Sequence, residues 1–190
     1  MTPSQPHPRF VLALALAAAM TLAGGCASMH TSGAGAAGAG TGARLSAEDR
    51  VFAMQAAGGG MYEIEAGRLA AQRAANPEVR AFGQMLADHH GAANADLVSL
   101  LQGRGLVPPA ALPPSKATRL SQLSPLAGPA FDSAFIRSAG IADHQQQIAL
   151  FQQASRDVAD PALRAWFTRT LAVLRGHLGT AQDIAGRIAG

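Results

Sequence analysis

A single cysteine, Cys26, stands in the 190 residues, so no internal disulfide can staple this chain. Lysine, tryptophan and tyrosine occur once each, and aromatic residues make up 5% of the total, too few for a ladder of rings to stack on bases. β-Branched side chains are few while Ala and Leu dominate, which disfavours strand-rich folds and suits helices. The net charge is only +3, and the arginines from Arg50 to Arg187 are scattered among acids, so nucleic acid is not an expected partner. Also missing are a nucleotide-cradling loop, a Ser-His-Asp order and a glycosidase-like carboxylate pair. No catalytic residue is assigned, and an enzyme is not the first expectation.

What is present begins with an address. Arg9 supplies a positive start, and Phe10 to Leu22 form an uncharged apolar run too short to be a comfortable permanent span. Ala23, Gly24, Gly25 and Cys26 follow, resembling a bacterial lipobox with Ala23 where Leu is preferred. Residues 1–25 therefore read as a lipoprotein signal peptide, with Cys26 as the lipidation site. Ala27, not Asp, follows the cysteine, which by analogy with lipoprotein sorting favours the outer membrane. Residues 26–44 are rich in Gly, Ala, Ser and Thr and read as a flexible tether on the periplasmic side of the envelope.

Residues 45–190 form the folded domain. Ser46, Glu48 and Asp49 start a helix near Ala47. The triplet Gly58, Gly59 and Gly60 would weaken that helix by about 1 kcal/mol per residue relative to Ala, unless a neighbour approaches closely there. Asn76 and Pro77 break the pattern and cap a second helix, whose apolar row reads Phe82, Leu86, His89, Ala93, Leu97 and Leu100. This phase turns His90 toward the surface. Six prolines between Gly103 and Pro129 mark a long crossover, with short helical turns around Ser115 to Leu123. A third helix spans about Ala130 to Ala159, and Asp160 and Pro161 begin a fourth carrying Leu163, Phe167, Thr170, Leu174, His177, Ala181 and Ile184 in helical phase. The expected fold is all-α, a ferritin-like four-helix bundle with a Pro-rich crossover between helices two and three.

Glu63 and His89 lie equally far from Asn76, and His144 and His177 equally far from the Asp160–Pro161 turn. At 1.5 Å per residue the pairs sit about 20 and 25 Å from their turns, near mid-helix. One carboxylate and three imidazoles meeting there form a candidate site for one divalent transition metal ion. A di-iron centre is excluded, because the positions three before His89 and His177 are Leu86 and Leu174, not Glu. The competing reading is a buried polar layer that fixes helix register. Asp88 and Asp143, each beside a histidine, are candidates to orient ligands, although solvated surface acids is the plainer reading. Met54, Met61 and Met85 read as core filler.

Phe52 to Ala57, Gly59, Glu63-Ile64, Gly67, Leu69-Ala70, Asp88-His89, Phe131-Asp132, His144, Phe151 and His177-Leu178, taken in order, resemble the bacterial domain-of-unknown-function family 4142. The resemblance covers nearly all of Leu45 to Ala185. It implies a ferritin-like four-helix fold and an exported, often outer-membrane-associated protein, and it brings no established activity. Three functions follow as alternatives: an envelope lipoprotein with a binding or stress-related role, a metal-dependent redox protein or enzyme, and a structural or partner-binding module without metal. Membrane association through the lipid anchor is expected. A protein partner is not readable, and a homodimer stays open.

Overall fold

The computed structural model describes residues 44–188. The signal peptide, Cys26 and the tether up to residue 43 lie outside the described residues. The rest is all helix, without a strand among the described residues: α1 (Ala47–Arg73), α2 (Pro77–Gln102), α3 (Pro114–Leu123), α4 (Gly128–Phe135), a π-helical segment (Ile136–Asp143), α5 (His144–Asp157) and α6 (Pro161–Ile188). α4, the π segment and α5 follow without a break and form one long rod.

The starts are where cap chemistry places them. Ser46 Oγ accepts from Asp49 N–H at 3.0 Å, and Asn76 Oδ1 accepts from Glu78 N–H at 2.8 Å, with Pro77 in the first turn where its missing donor costs nothing. The expectation of four helices needs one correction, because the crossover carries a fifth. Ten residues make a marginal helix in water. Tertiary anchors hold it: Leu123 is buried in the core, while Lys116 and Arg119 pair with Asp143 of the π segment.

α1 and α2 approach closely at Gly67 and Gly83. A Cβ on Gly67 would stand 2.6 Å from the Gly83 carbonyl oxygen, and one on Gly83 would stand 2.5 Å from Ala70 Cβ. Two glycines of the α1 triplet are explained by close neighbours as well, whereas a Cβ at Gly60 would meet only ordinary contacts with Asn94. A Cβ at Gly58 would lie 2.6 Å from the Pro113 ring, and one at Gly59 would overlap the buried side chain of Gln147.

The two hairpin turns share a pattern, Ala75-Asn76-Pro77-Glu78-Val79-Arg80 and Ala159-Asp160-Pro161-Ala162-Leu163-Arg164. In both, the arginine returns to the carbonyl six residues earlier, Arg80 to Ala74 at 2.6 Å and Arg164 to Val158 at 3.0 Å. Each turn is also latched by an aspartate from the other hairpin. Asp132 accepts from the Ala75 and Asn76 amides at 3.0 and 2.8 Å, and Asp49 accepts from the Ala159 and Asp160 amides at 2.9 and 3.0 Å.

The apolar interior falls into two clusters. One gathers Phe52, Leu97, Leu101, Phe151, Leu163 and Phe167; the other gathers Tyr62, Phe82, Leu86, Phe131, Phe135 and Ile184. His90, His144 and His177 are buried at positions that α2, the third rod and α6 carry between the residues of these two clusters, and Glu63 is buried on α1 beside Tyr62, at the edge of the second.

Candidate metal centre

His144 is fully buried at the junction of the π segment and α5. Its Nδ1 lies 2.8 Å from the Ala139 carbonyl oxygen, five residues back. The π segment, whose ladder runs from residue i to i+5, sets that carbonyl opposite residue 144. A carbonyl only accepts, so Nδ1 carries the proton and Nε2 keeps its lone pair. Nε2 lies 3.3 Å from Nδ1 of His177, which α6 brings from the opposite side. The other nitrogen of His177, Nε2, meets Nδ1 of His89 at 3.0 Å. An interplanar angle of 21° with centroids 5.2 Å apart is the geometry of two rings meeting edge to edge through these nitrogens. Thus the hydrogen bonds run one way in the metal-free protein: His89 donates to His177, His177 to His144, and His144 to Ala139.

The expectation for α2 is corrected by one residue. His90, not His89, is buried, with its ring 5.2 Å from that of His177 and 5.5 Å from that of His144. His89 is exposed. The buried row of α2 is Val79, Phe82, Gly83, Leu86, His90, Leu97 and Leu101. Gly83 is central to it through the contact with Gly67, yet contributes nothing to an apolar pattern, so the sequence row, which begins correctly at Phe82 and Leu86, drifts onto His89 and Leu100.

Three imidazoles therefore converge. Each of His90, His144 and His177 offers a nitrogen within 4.8 Å of the others, and all three are buried. Burial in the apolar surroundings, with the neighbouring imidazoles adding to it, depresses the pKa of His177 from its ordinary 6.5 to about 3. The same causes lower that of His90 well below 6.5, and burial lowers that of His144. The triad is neutral at pH 7, as metal ligation by imidazole requires. Two nitrogens bound to one tetrahedral zinc at about 2.0–2.1 Å stand about 3.3 Å apart, which matches the His144 to His177 separation.

Glu63 is buried with its Oε1 3.8 Å from His144 Nδ1, on the ring edge turned away from the triad. Neither of its oxygens has a hydrogen-bond partner among the described residues. Burial, reinforced by the charge of Asp143, raises its pKa well above the ordinary 4.5. Glu63 thus stands behind a triad ligand, and His89 stands beside one. Asp143 is corrected from surface acid to buried carboxylate, paired with Lys116 and with Arg119 at 3.2 Å. The wider π turn accounts for it, since it lets neighbouring Asp143 and His144 both face inward, one toward α3 and one toward the triad. Asp88 is exposed and accepts from Gln84 Nε2 at 2.9 Å. Trp166 is buried and donates from Nε1 to the Ala93 carbonyl at 3.2 Å.

Over the described residues, fold and site together define a bundle of five helices with a buried cluster of imidazoles between two apolar cores. The model of a domain of unknown function, DUF4142, matches residues 34–184, and the chain belongs to that family. Two solved structures share the fold. A DUF305 fragment from Deinococcus radiodurans superposes with a TM-score of 0.68 at 16% identity, covering 76% of this chain and 99% of that one. A Streptomyces coelicolor DUF305 protein, described as a "putative secreted protein", gives 0.64 at 12% identity, covering 75% and 94%. No curated protein matches by sequence.

Proposed function

We propose that the protein is an exported envelope lipoprotein whose helical bundle holds one divalent transition metal ion at His90, His144 and His177. The observation that carries the metal reading is the convergence of three buried neutral imidazoles, with one pair at the spacing of a tetrahedral edge. All-nitrogen ligation suits zinc, copper, nickel or cobalt better than magnesium or calcium, which prefer oxygen. Glu63 then acts from behind, as a partner on the far side of a ligating ring. We read the bundle as ferritin-like in its four long rods, with α3 as an addition in the crossover. Export is supported by the first 26 residues and by the description of the Streptomyces relative as secreted, and the outer-membrane lipid anchor at Cys26 rests on the sequence alone. No helix among the described residues is long and apolar enough to cross a membrane.

Metal analysis of mature protein purified without a histidine tag tests the reading. About one zinc or copper ion per chain is expected, with His144→Ala and His177→Ala folded but metal-free. A second reading has its own support: the one-way chain from His89 to Ala139 satisfies His177 and His144 without an ion and fixes helix register, while His90 Nε2 has no partner among the described residues. Metal-free protein after exposure to zinc, copper, nickel and cobalt would decide for it. Anchoring is tested separately: Cys26→Ser should release the protein from membranes and abolish palmitate labelling.

A further inference from the structure

We infer that His89 is the entry ligand of the metal centre, taking the ion from solvent in the groove between α2 and α6 and passing it to His177. This rests on the metal-binding reading above and adds a route to it. The triad is buried, and two of its flanks are closed. Gly67 and Gly83 bring α1 and α2 into backbone contact, and the ion pairs of Lys116 and Arg119 with Asp143 hold α3 over the far side.

The α2–α6 side is different. A groove of about 360 Å³ opens there, lined among others by His89, His90, Ala92, Ala93, Val173 and His177. Two members of the triad thus line a groove that solvent reaches, and His89 is the exposed imidazole beside them. His177 joins the two environments through its two nitrogens: Nε2 meets His89 at 3.0 Å, and Nδ1 faces His144 at 3.3 Å. A ring nitrogen offers a lone pair only while unprotonated, and neutral imidazole has one such nitrogen at a time. His177 therefore serves one side and then the other. An ion would be held first by His89 and His177 Nε2, once the His89 Nδ1 proton has moved to its own Nε2, and passage inward would exchange the His177 proton from Nδ1 to Nε2 with no net change in charge. The ion ends on Nδ1, among the interior nitrogens. His89 is not among the groups that keep it.

An entry ligand lowers the barrier in both directions, so its loss changes rates and leaves the equilibrium alone. Cobalt(II) binding to metal-free, untagged protein, followed by stopped-flow absorbance, reads this out. His89→Ala is expected to slow association and release alike, each by about tenfold, with the dissociation constant within about twofold of wild type. Ala92→Phe, which narrows the groove without touching a nitrogen, should do the same. Unchanged association in His89→Ala overturns the inference. So does faster release with unchanged association and weaker affinity, which makes His89 a permanent ligand. If wild type binds no cobalt, zinc or copper, the metal reading fails and the route with it; normal binding in both wild type and His89→Ala at equal rates sinks the route alone.

Discussion

The imidazoles of His144 and His177 meet at 3.3 Å although 33 residues separate them in the chain. Neither carries a charge at neutral pH, and keeping them neutral has a consequence for stability. In the unfolded chain each titrates near 6.5, whereas the folded protein holds His90, His144 and His177 below that, His177 at about 3. Between these values the unfolded state binds more protons, so stability rises with pH. The histidine contribution is fully present above about 6.5 and is lost progressively as pH falls toward 3. Glu63 acts in the opposite sense: its raised pKa gives stability that is present below 4.5 and lost as pH rises through the folded value. Three imidazoles outweigh one carboxyl, and the melting temperature of metal-free protein should climb from pH 5 to pH 7. A flat or falling profile over that interval would contradict the neutral triad.

The glycine contact between α1 and α2 makes a second prediction. Alanine at position 83 improves helix propensity by about 1 kcal/mol, but its Cβ would stand 2.5 Å from Ala70 Cβ and 2.8 Å from the Gly67 carbonyl. Overpacking of this kind costs about 1–3 kcal/mol, and here the neighbours are backbone or Cβ atoms that cannot swing aside. Gly83→Ala should therefore lower the denaturant midpoint, whereas alanine at exposed Gly186, which meets nothing within 4 Å, should raise it slightly.

Lys116 is the single lysine of the chain, and its side chain is 16% exposed against the fully buried carboxylate of Asp143. It also lies 5.0 Å from the Tyr62 ring centroid. Lys116→Met keeps the stem and removes the charge, leaving Asp143 with Arg119 alone. A cost of about 2 kcal/mol is expected, less than the full penalty for an unpaired buried charge because Arg119 remains. Hydrogen exchange should then quicken across Pro114–Leu123 before it does elsewhere.

The latching aspartates can be tested as a pair. Asp132→Ala and Asp49→Ala each strip two backbone amides of their acceptor, and each should cost about 2 kcal/mol by urea titration. The effects should add when combined, since the two sites share no partner.

Much of this was legible in the sequence because caps and prolines are local. Ser46, Asn76-Pro77 and Asp160-Pro161 announce helix starts without reference to the rest of the chain, and the equal spacing of His144 and His177 about their turn anticipated their meeting. What escaped was set by neighbours. The row of α2 runs through Gly83, whose place in the interior comes from backbone contact with Gly67, and without it His89 and His90 are exchanged. Asp143 looked like a surface acid because an unbroken α-helix turns it away from His144; the π segment and the cations of α3 bring it inside. The latches of Asp49 and Asp132 join residues more than fifty positions apart, and no local signal marks them.

Because each hairpin fastens the bend of the other, neither half is complete alone, and the covalent link between them carries little of the bond. Val107, in the stretch between α2 and α3, is 81% exposed. A chain nicked there by a protease would stay associated, and two molecules could trade hairpins while every latch is kept, so the same device that closes one bundle also provides a way to intertwine two.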